Sequence, residues 1–462
     1  MTLQFAFLAL YFVGLVAFGL WIGRRVRGTS DFFVAGRRLP AYLLFATMLA
    51  ANIGAGSTVG AASLGYEIGL GAWWWNGSAG LGSLVLALWA GPRIWREARR
   101  HGFLTLGDFL EQRYGREVRG MVAIVLWVAT LVILTAQVIG MAAVLEVVAD
   151  LSRGAGSLTA VVVMVAYFAA GGLLSSAWVN LVQLAVLLAG FTLAAPLAIG
   201  VAGGPDALSS AHLPPGYTAI WQGQGSFALL ALLGPAFIVS PGLIQKVYGA
   251  VDERAIRIGV GASAVALMVF GFLPPLLGMA ARVLHPDLPG VDAALPTVLA
   301  HSLPPAVGSL ALAAVFSAEI SSADAVLFML STSLSQDLYR RFLRPAATDR
   351  DVLRIARWTA IAGGAMALLL ALAIPTVIHA MRVFYSVLTV VLFVPVVASL
   401  FSRRVGRLEG VLAIAGGLSV MTVMALVTGG RGAGGWHPAI FGLLAAAAAF
   451  GAGTLMRVAR RD

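Results

Sequence analysis

The sequence predicts an all-α protein that crosses a membrane about thirteen times, ten of the crossings forming two inverted five-helix units. Three observations predict it. The 462 residues are 60% hydrophobic and 11% charged, where a soluble domain carries about 25% charged residues. The apolar stretches repeat at the ~20-residue length that a spanning helix needs. Two of them are interrupted by glycine or proline at corresponding places in the series.

In chain order the expected spans are 3–23, 41–67, 71–91, 118–148, 157–174, 178–200, 226–247, 258–281, 307–335, 356–375, 379–401, 409–428 and 438–456. The first is followed, not preceded, by arginines, so it reads as a retained span and not a cleaved signal. The fourth and ninth exceed the bilayer thickness and are expected to tilt or project. No soluble domain fits between the spans, so residues 1–462 form a single membrane domain. The chain has no cysteine, which excludes thiol and disulfide chemistry. Its six histidines show no metal-ligand spacing.

Charge sets the orientation. With the N-terminus outside, inward-facing segments hold 27 of the 31 Lys and Arg residues, and only Arg153, Arg282, Arg382 and Arg431 fall outside. The positive-inside rule therefore predicts N-terminus out and C-terminus cytoplasmic, in a plasma membrane. It also accounts for the net charge of +11 with the lipid bilayer as partner and no nucleic acid.

The second span carries Asn52-Ile53-Gly54-Ala55-Gly56-Ser57-Thr58 at its middle. The seventh carries Pro235 and Pro241-Gly242, and Pro241 cannot bond back to the carbonyl four residues earlier. Non-helical backbone at that depth is tolerated where it lines a cavity or is buried in protein. A broken helix, four spans and a second broken helix make two five-helix units. Five is odd, so the units lie in opposite orientations, the layout of an inverted-repeat secondary transporter. Ordinary kinks are the plainer alternative.

The ninth span holds Ser317, Glu319, Ser321, Ser322 and Asp324 at its centre. Such groups usually face a water- or ion-filled interior. Ser317, Ser321 and Asp324 form one stripe at helical spacing, and Ala318, Ser321 and Ser322 share a face. A hard cation such as Na+ would accept these hydroxyls with nearby carbonyls. A serine-rich helix–helix contact reads the same residues differently.

Four stretches carry a resemblance: SDFFVAGRRLP (30–40), LTLGDFLEQRYG (104–115), IQKVYGAVDERAIRIG (244–259) and SAEISSADAVLFMLSTSLSQDLYRR (317–341). In their order and their places between spans the chain resembles the sodium:solute symporter family, which includes sodium–glucose, sodium–proline and sodium–pantothenate carriers. The resemblance implies a ten-helix inverted-repeat core at 41–401, an extra N-terminal helix at 3–23 and two extra C-terminal helices at 409–456. It implies Na+-coupled import of a small solute with Na+ as the coupling ion. A Na+ site is implied at Ala50, Ile53, Ala318, Ser321 and Ser322. A second sodium site that some members build on an aspartate matches Asn180 here, an amide. Glu319 and Asp324 could replace the missing charge, which leaves proton coupling as an alternative, and Glu319 could equally be a solvated carboxylate in a vestibule. Gly54, Ser57, Asn76 and Ser240 are implied solute contacts. Trp73-Trp74-Trp75 either narrows the cavity or forms part of an interfacial belt, and Tyr385 either gates or packs. The positive ends of broken helices favour an anionic group, so a monocarboxylate or amino acid is expected over a sugar.

A transporter-like sensor without transport would carry a signalling module, and the sequence shows none. A membrane enzyme would need a catalytic constellation, and none is readable. Oligomeric state is not readable either.

Overall fold

Capping residues and prolines decide where the helices begin. The computed structural model describes residues 10–11, 13–15, 17–18, 21, 34–168, 173–209, 213–402 and 405–459. Most of the expected span 3–23, the arginines at 24, 25, 27, 403, 404, 460 and 461, and residues 169–172 of the fifth span lie outside the described residues. Within the described residues the regular structure is helical, with two isolated β-bridges, Leu39 with Ala250 and Ala433 with Trp436. Nine helices there are long and apolar enough to cross a bilayer, or ten when one bent pair is counted as a span.

Helix α1 (Ala41–Asn52) starts after Pro40 and ends where Ile53 turns extended. The chain resumes in a wide π turn at Gly56–Gly60 and continues as α2 (Ala61–Ile68), with a bend of 64° across the break. Helix α3 (Trp73–Val85) runs on through Leu86–Ala90 into α4 (Gly91–His101). Helix α5 (Leu106–Tyr114) opens on a reciprocal capping box between Thr105 and Asp108, which satisfies two amides that the first turn cannot pair. Then come α6 (Arg116–Ala149), α7 (Arg153–Phe168) and α8 (Leu173–Val201). Helix α9 (Gln224–Val239) stops at Ser240, whose ψ of 121° breaks the helix before Pro241 starts α10 (Pro241–Tyr248). Helices α11 (Glu253–Phe270), α12 (Leu273–Leu284), α13 (Pro305–Thr332, extended in wide turns to Leu343), α14 (Asp349–Ala373), α15 (Val377–Phe401), α16 (Arg407–Val427) and α17 (Pro438–Ala459) complete the order.

The helices sort into two groups. One packs the broken pair α1/α2 and α3 against α9, α11 and α12. The other packs α6, α7, α13 and α14 together. Helix α8 bridges the groups through α1 and α13, and α15 bridges them through α6 and α9. Helices α16 and α17 pack on each other and against α15. The breaks in α1/α2 and α9/α10 therefore sit where the groups meet. Arg37 donates to the Phe103 carbonyl at 2.7 Å, and Arg96–Glu253, Arg407–Glu117 and Arg457–Glu409 pair at 3.0 Å. These contacts gather the arginine-rich connections at one end of the molecule.

Candidate functional site

The interruption after Asn52 frees backbone carbonyls, and α13 lays two hydroxyls against them. Ser321 Oγ lies 3.1 Å from the Ala50 carbonyl and 3.1 Å from that of Ala318. Ser322 Oγ lies 3.3 Å from Ala50, 3.4 Å from Ala51 and 3.1 Å from Ile53, again at the carbonyl oxygens. All five residues named from the sequence for the cation come together here, joined by Ala51. Both serines are buried. Two hydroxyls own two protons, and four carbonyls compete for them. A surplus of acceptors over donors is compatible with a cation, and neutral oxygens suit a monovalent ion better than a divalent one, which takes carboxylates.

The approach depends on Gly54. A Cβ there would stand 2.3 Å from Ser322 Oγ and 2.8 Å from Gln137 Oε1. Gln137, on α6 and buried, accepts a hydrogen bond from the Ala55 amide at 2.9 Å, so it holds the break open from the other helix group. Among the implied solute residues, Ser57 Oγ donates to the Asn52 carbonyl at 2.6 Å, and Asn76 Nδ2 donates to the Ser57 carbonyl at 3.1 Å. Gly54, Ser57 and Asn76 thus belong to one neighbourhood. Ser240 is half-buried at the α9–α10 break and makes no hydrogen bond to these three.

The residues suggested for coupling separate. Asn180 donates to Thr47 Oγ1 at 3.3 Å, on α1 before the break. Asp324 is buried, and its charge acts on that of Lys246, also buried, on α10. Glu319 is fully buried and receives a hydrogen bond from Thr58 Oγ1 at 3.3 Å. Ser317 turns elsewhere, to Tyr11 at 2.7 Å. The tryptophans split between the two expectations. Trp75 is buried, with its ring 6.1 Å from that of Tyr385, which in turn meets Phe237 at 5.3 Å. Trp74 meets the exposed Trp221 and donates to the Ile220 carbonyl.

Two polar assemblies close the ends of this region. At the arginine-rich end, buried Arg119 on α6 pairs with Asp108 and Glu111 at 2.8 Å and with Asp337 at 2.6 Å. Thr105 donates to Asp337 at 2.7 Å, and Arg341 pairs with Glu111. Burial alone would raise the Glu111 carboxyl, but its bonds to Arg119 and Arg341 hold it below the usual range. At the opposite end, Asp292 in the 285–304 connection accepts from Ser63 Oγ at 2.9 Å and from the Val377 amide at 2.9 Å, joining α2 to the start of α15. Burial pushes the Asp292 carboxyl up. Sequence reasoning missed Gln137, although one amide inside the uncharged, mostly apolar run 120–145 is a readable signal. It also missed the Arg119 assembly, because an arginine at a helix start looks like an ordinary interfacial one.

The model of the sodium:solute symporter family matches residues 32–419. This chain belongs to the sodium:solute symporter family. Members with curated names include the sodium/glucose cotransporter of Vibrio parahaemolyticus, 24% identical over 79% of this chain and 73% of that one. The sodium/pantothenate symporter of Escherichia coli is 30% identical over 94% and 93%. Among solved structures, a Na+-coupled sialic acid symporter in a substrate-bound outward-open state superposes with a TM-score of 0.79 at 16% identity, covering 98% of this chain and 97% of that one. Mhp1, a nucleobase-cation-symport-1 family transporter, reaches 0.61 at 12% identity over 93% and 95%. At these identities the structures establish the shared fold. The symporter family is one of multi-pass membrane transporters, and the helical architecture described here agrees with it.

Proposed function

We propose that this symporter-family member imports a small organic solute by coupling it to inward movement of Na+, held by the carbonyls of Ala50, Ile53 and Ala318 and the hydroxyls of Ser321 and Ser322. The carrying observation is that these five residues, on helices from two different packing groups, meet in an acceptor-rich cradle. Unwound carbonyls facing an intact helix are the usual coordination for such an ion. Na+ there links α1 to α13, favours the outward-open arrangement and orders the backbone from Asn52 to Ser57 for solute. Solute then lies near Gly54, Ser57, Asn76 and Ser240, under the aromatic group of Trp75, Phe237 and Tyr385. The chemistry expected of it is a small carboxylate, a monocarboxylate or an amino acid.

The arginine-rich end is cytoplasmic in this reading, with the N-terminus outside. The core spans 41–401 as two inverted five-helix halves, each opening on a broken helix. Each charge entering down 100 mV contributes about 2.3 kcal/mol, enough for roughly fiftyfold accumulation.

The test is thermal stability of purified protein against small carboxylates, amino acids, sugars and vitamins, in Na+ and in choline at fixed ionic strength, repeated in S321A/S322A. A solute that stabilises only with Na+, and only in the unaltered protein, supports the reading. Stabilisation equal in choline and dependent on pH overturns the sodium site and points to proton coupling.

A further inference from the structure

Glu319 is buried in the centre of α13, 0% exposed, and nothing in the cradle uses it. Its Oε1 accepts from Thr58 Oγ1 at 3.3 Å, while Oε2 has no hydrogen-bond partner. The Thr58 hydroxyl also lies 2.9 Å from the Gly54 carbonyl, so one proton faces two acceptors. Among the described residues no Lys, Arg or His forms an ion pair with Glu319, and the charged group that acts on it is a further acid, Asp292. Helix α6 makes room for this carboxyl. A Cβ on Gly140 would lie 2.9 Å from Glu319 Oε1 and 2.9 Å from Ala55 Cβ. Gln137, nearly one turn earlier on α6, brings its Oε1 to the same break at the Ala55 amide.

A carboxyl removed from water either keeps its proton or needs a positive partner, and removing that partner is strongly unfavourable. Here the protein supplies oxygens instead: Glu319, the Thr58 hydroxyl and the Gly54 carbonyl, with Gln137 at the rim. We propose that these residues hold a second Na+, beside the cradle and distinct from it, so that two sodium ions bind before the carrier turns over. The proposal rests on the Na+-coupled reading above. Both ions would join the broken helix to α13. The neutral cradle would take the first charge, and Glu319 would offset the second.

The experiment is equilibrium binding of radioactive Na+ to the purified full-length protein at fixed ionic strength with choline. Two sodium ions per unaltered chain are expected, with about half of that in E319Q. T58V, which removes one ligand and no charge, should weaken the second binding event by at least tenfold and leave the first. A count of one in the unaltered protein overturns the proposal, as does an E319Q count equal to that of the unaltered protein. If E319Q does not elute as a folded monodisperse species, the unaltered count and T58V decide. One bound ion that is lost in S321A/S322A leaves the sodium reading standing and removes only the second site. No bound sodium at all removes both.

Discussion

Gly54 shows how much of the site rests on one missing methyl group. A Cβ at this position would meet both the Ser322 hydroxyl and the Gln137 amide well inside contact distance. Neither can retreat, because Ser322 points at three carbonyls of the break and Gln137 is bonded to Ala55. Gly54→Ala is therefore expected to cost about 1–3 kcal/mol in packing strain and to abolish the Na+-dependent rise in melting temperature. A variant that melts lower but keeps its sodium response would show that Gly54 matters for packing alone. The shared face of Ala318, Ser321 and Ser322 is legible from helical spacing, whereas Ala50 and Ile53 are named only by the resemblance to the family, because a backbone ligand leaves no mark in its side chain. Glu319 was legible as an anomaly but not as a contact. Its partner Thr58 lies 261 positions away, and only folding brings Gly140 beside it. Ser317 was grouped with the cradle by spacing, yet its proton goes to the Ala313 carbonyl and its oxygen faces Tyr11. Spacing along one helix cannot say which neighbour covers each face.

At the scale of elements, the connections matter as much as the spans. The Arg119 assembly ties α5, α6 and the extension of α13 together around one guanidinium. Arg119→Met would leave Asp108 and Asp337 without their cation and Glu111 with Arg341 alone, and breaking a buried pair costs about 3–5 kcal/mol. Thermal unfolding should show that loss, and Asp337→Asn in the same chain should return part of it. Equal stability of the single and double variants would mean that Asp337 is not the dominant partner. At the opposite end Asp292 clamps the 285–304 connection onto α2 and α15, facing Glu67, Glu146 and Arg153. Its carboxyl is held above its ordinary value by burial, so the folded protein binds a proton more readily than the unfolded chain. The contribution to stability is then full at low pH and is lost as pH rises through the raised value. After division by the intrinsic base-catalysed rate, hydrogen exchange at the Val377 amide should still accelerate as pH rises above the ordinary carboxylate range, and Asp292→Asn should remove that residual dependence. Neither assembly could be read from the sequence, since each joins residues from connections whose mutual position depends on the whole packing.

On the scale of the molecule, the cradle joins two helix groups that otherwise meet mainly through α8 and α15. An ion that binds both sides of such a seam must change how the seam opens, because a ligand shifts an equilibrium only by its different affinity for the two states. In the proposed cycle Na+ favours closure at the arginine-rich end and opening at the Asp292 end. Met329 lines a cavity with Thr105, Arg119, Gln245 and Asp337 towards the first end. Ile378 packs near Gly60 towards the second. The chain contains no cysteine, so M329C and I378C each place a single thiol in the otherwise native protein. In detergent, Na+ replacing choline should slow maleimide labelling of M329C and speed that of I378C, each by severalfold. S321A/S322A should flatten both responses. Rates that move in the same direction would describe a general tightening or loosening, and alternating access driven by the cradle would then be wrong even if sodium binds there.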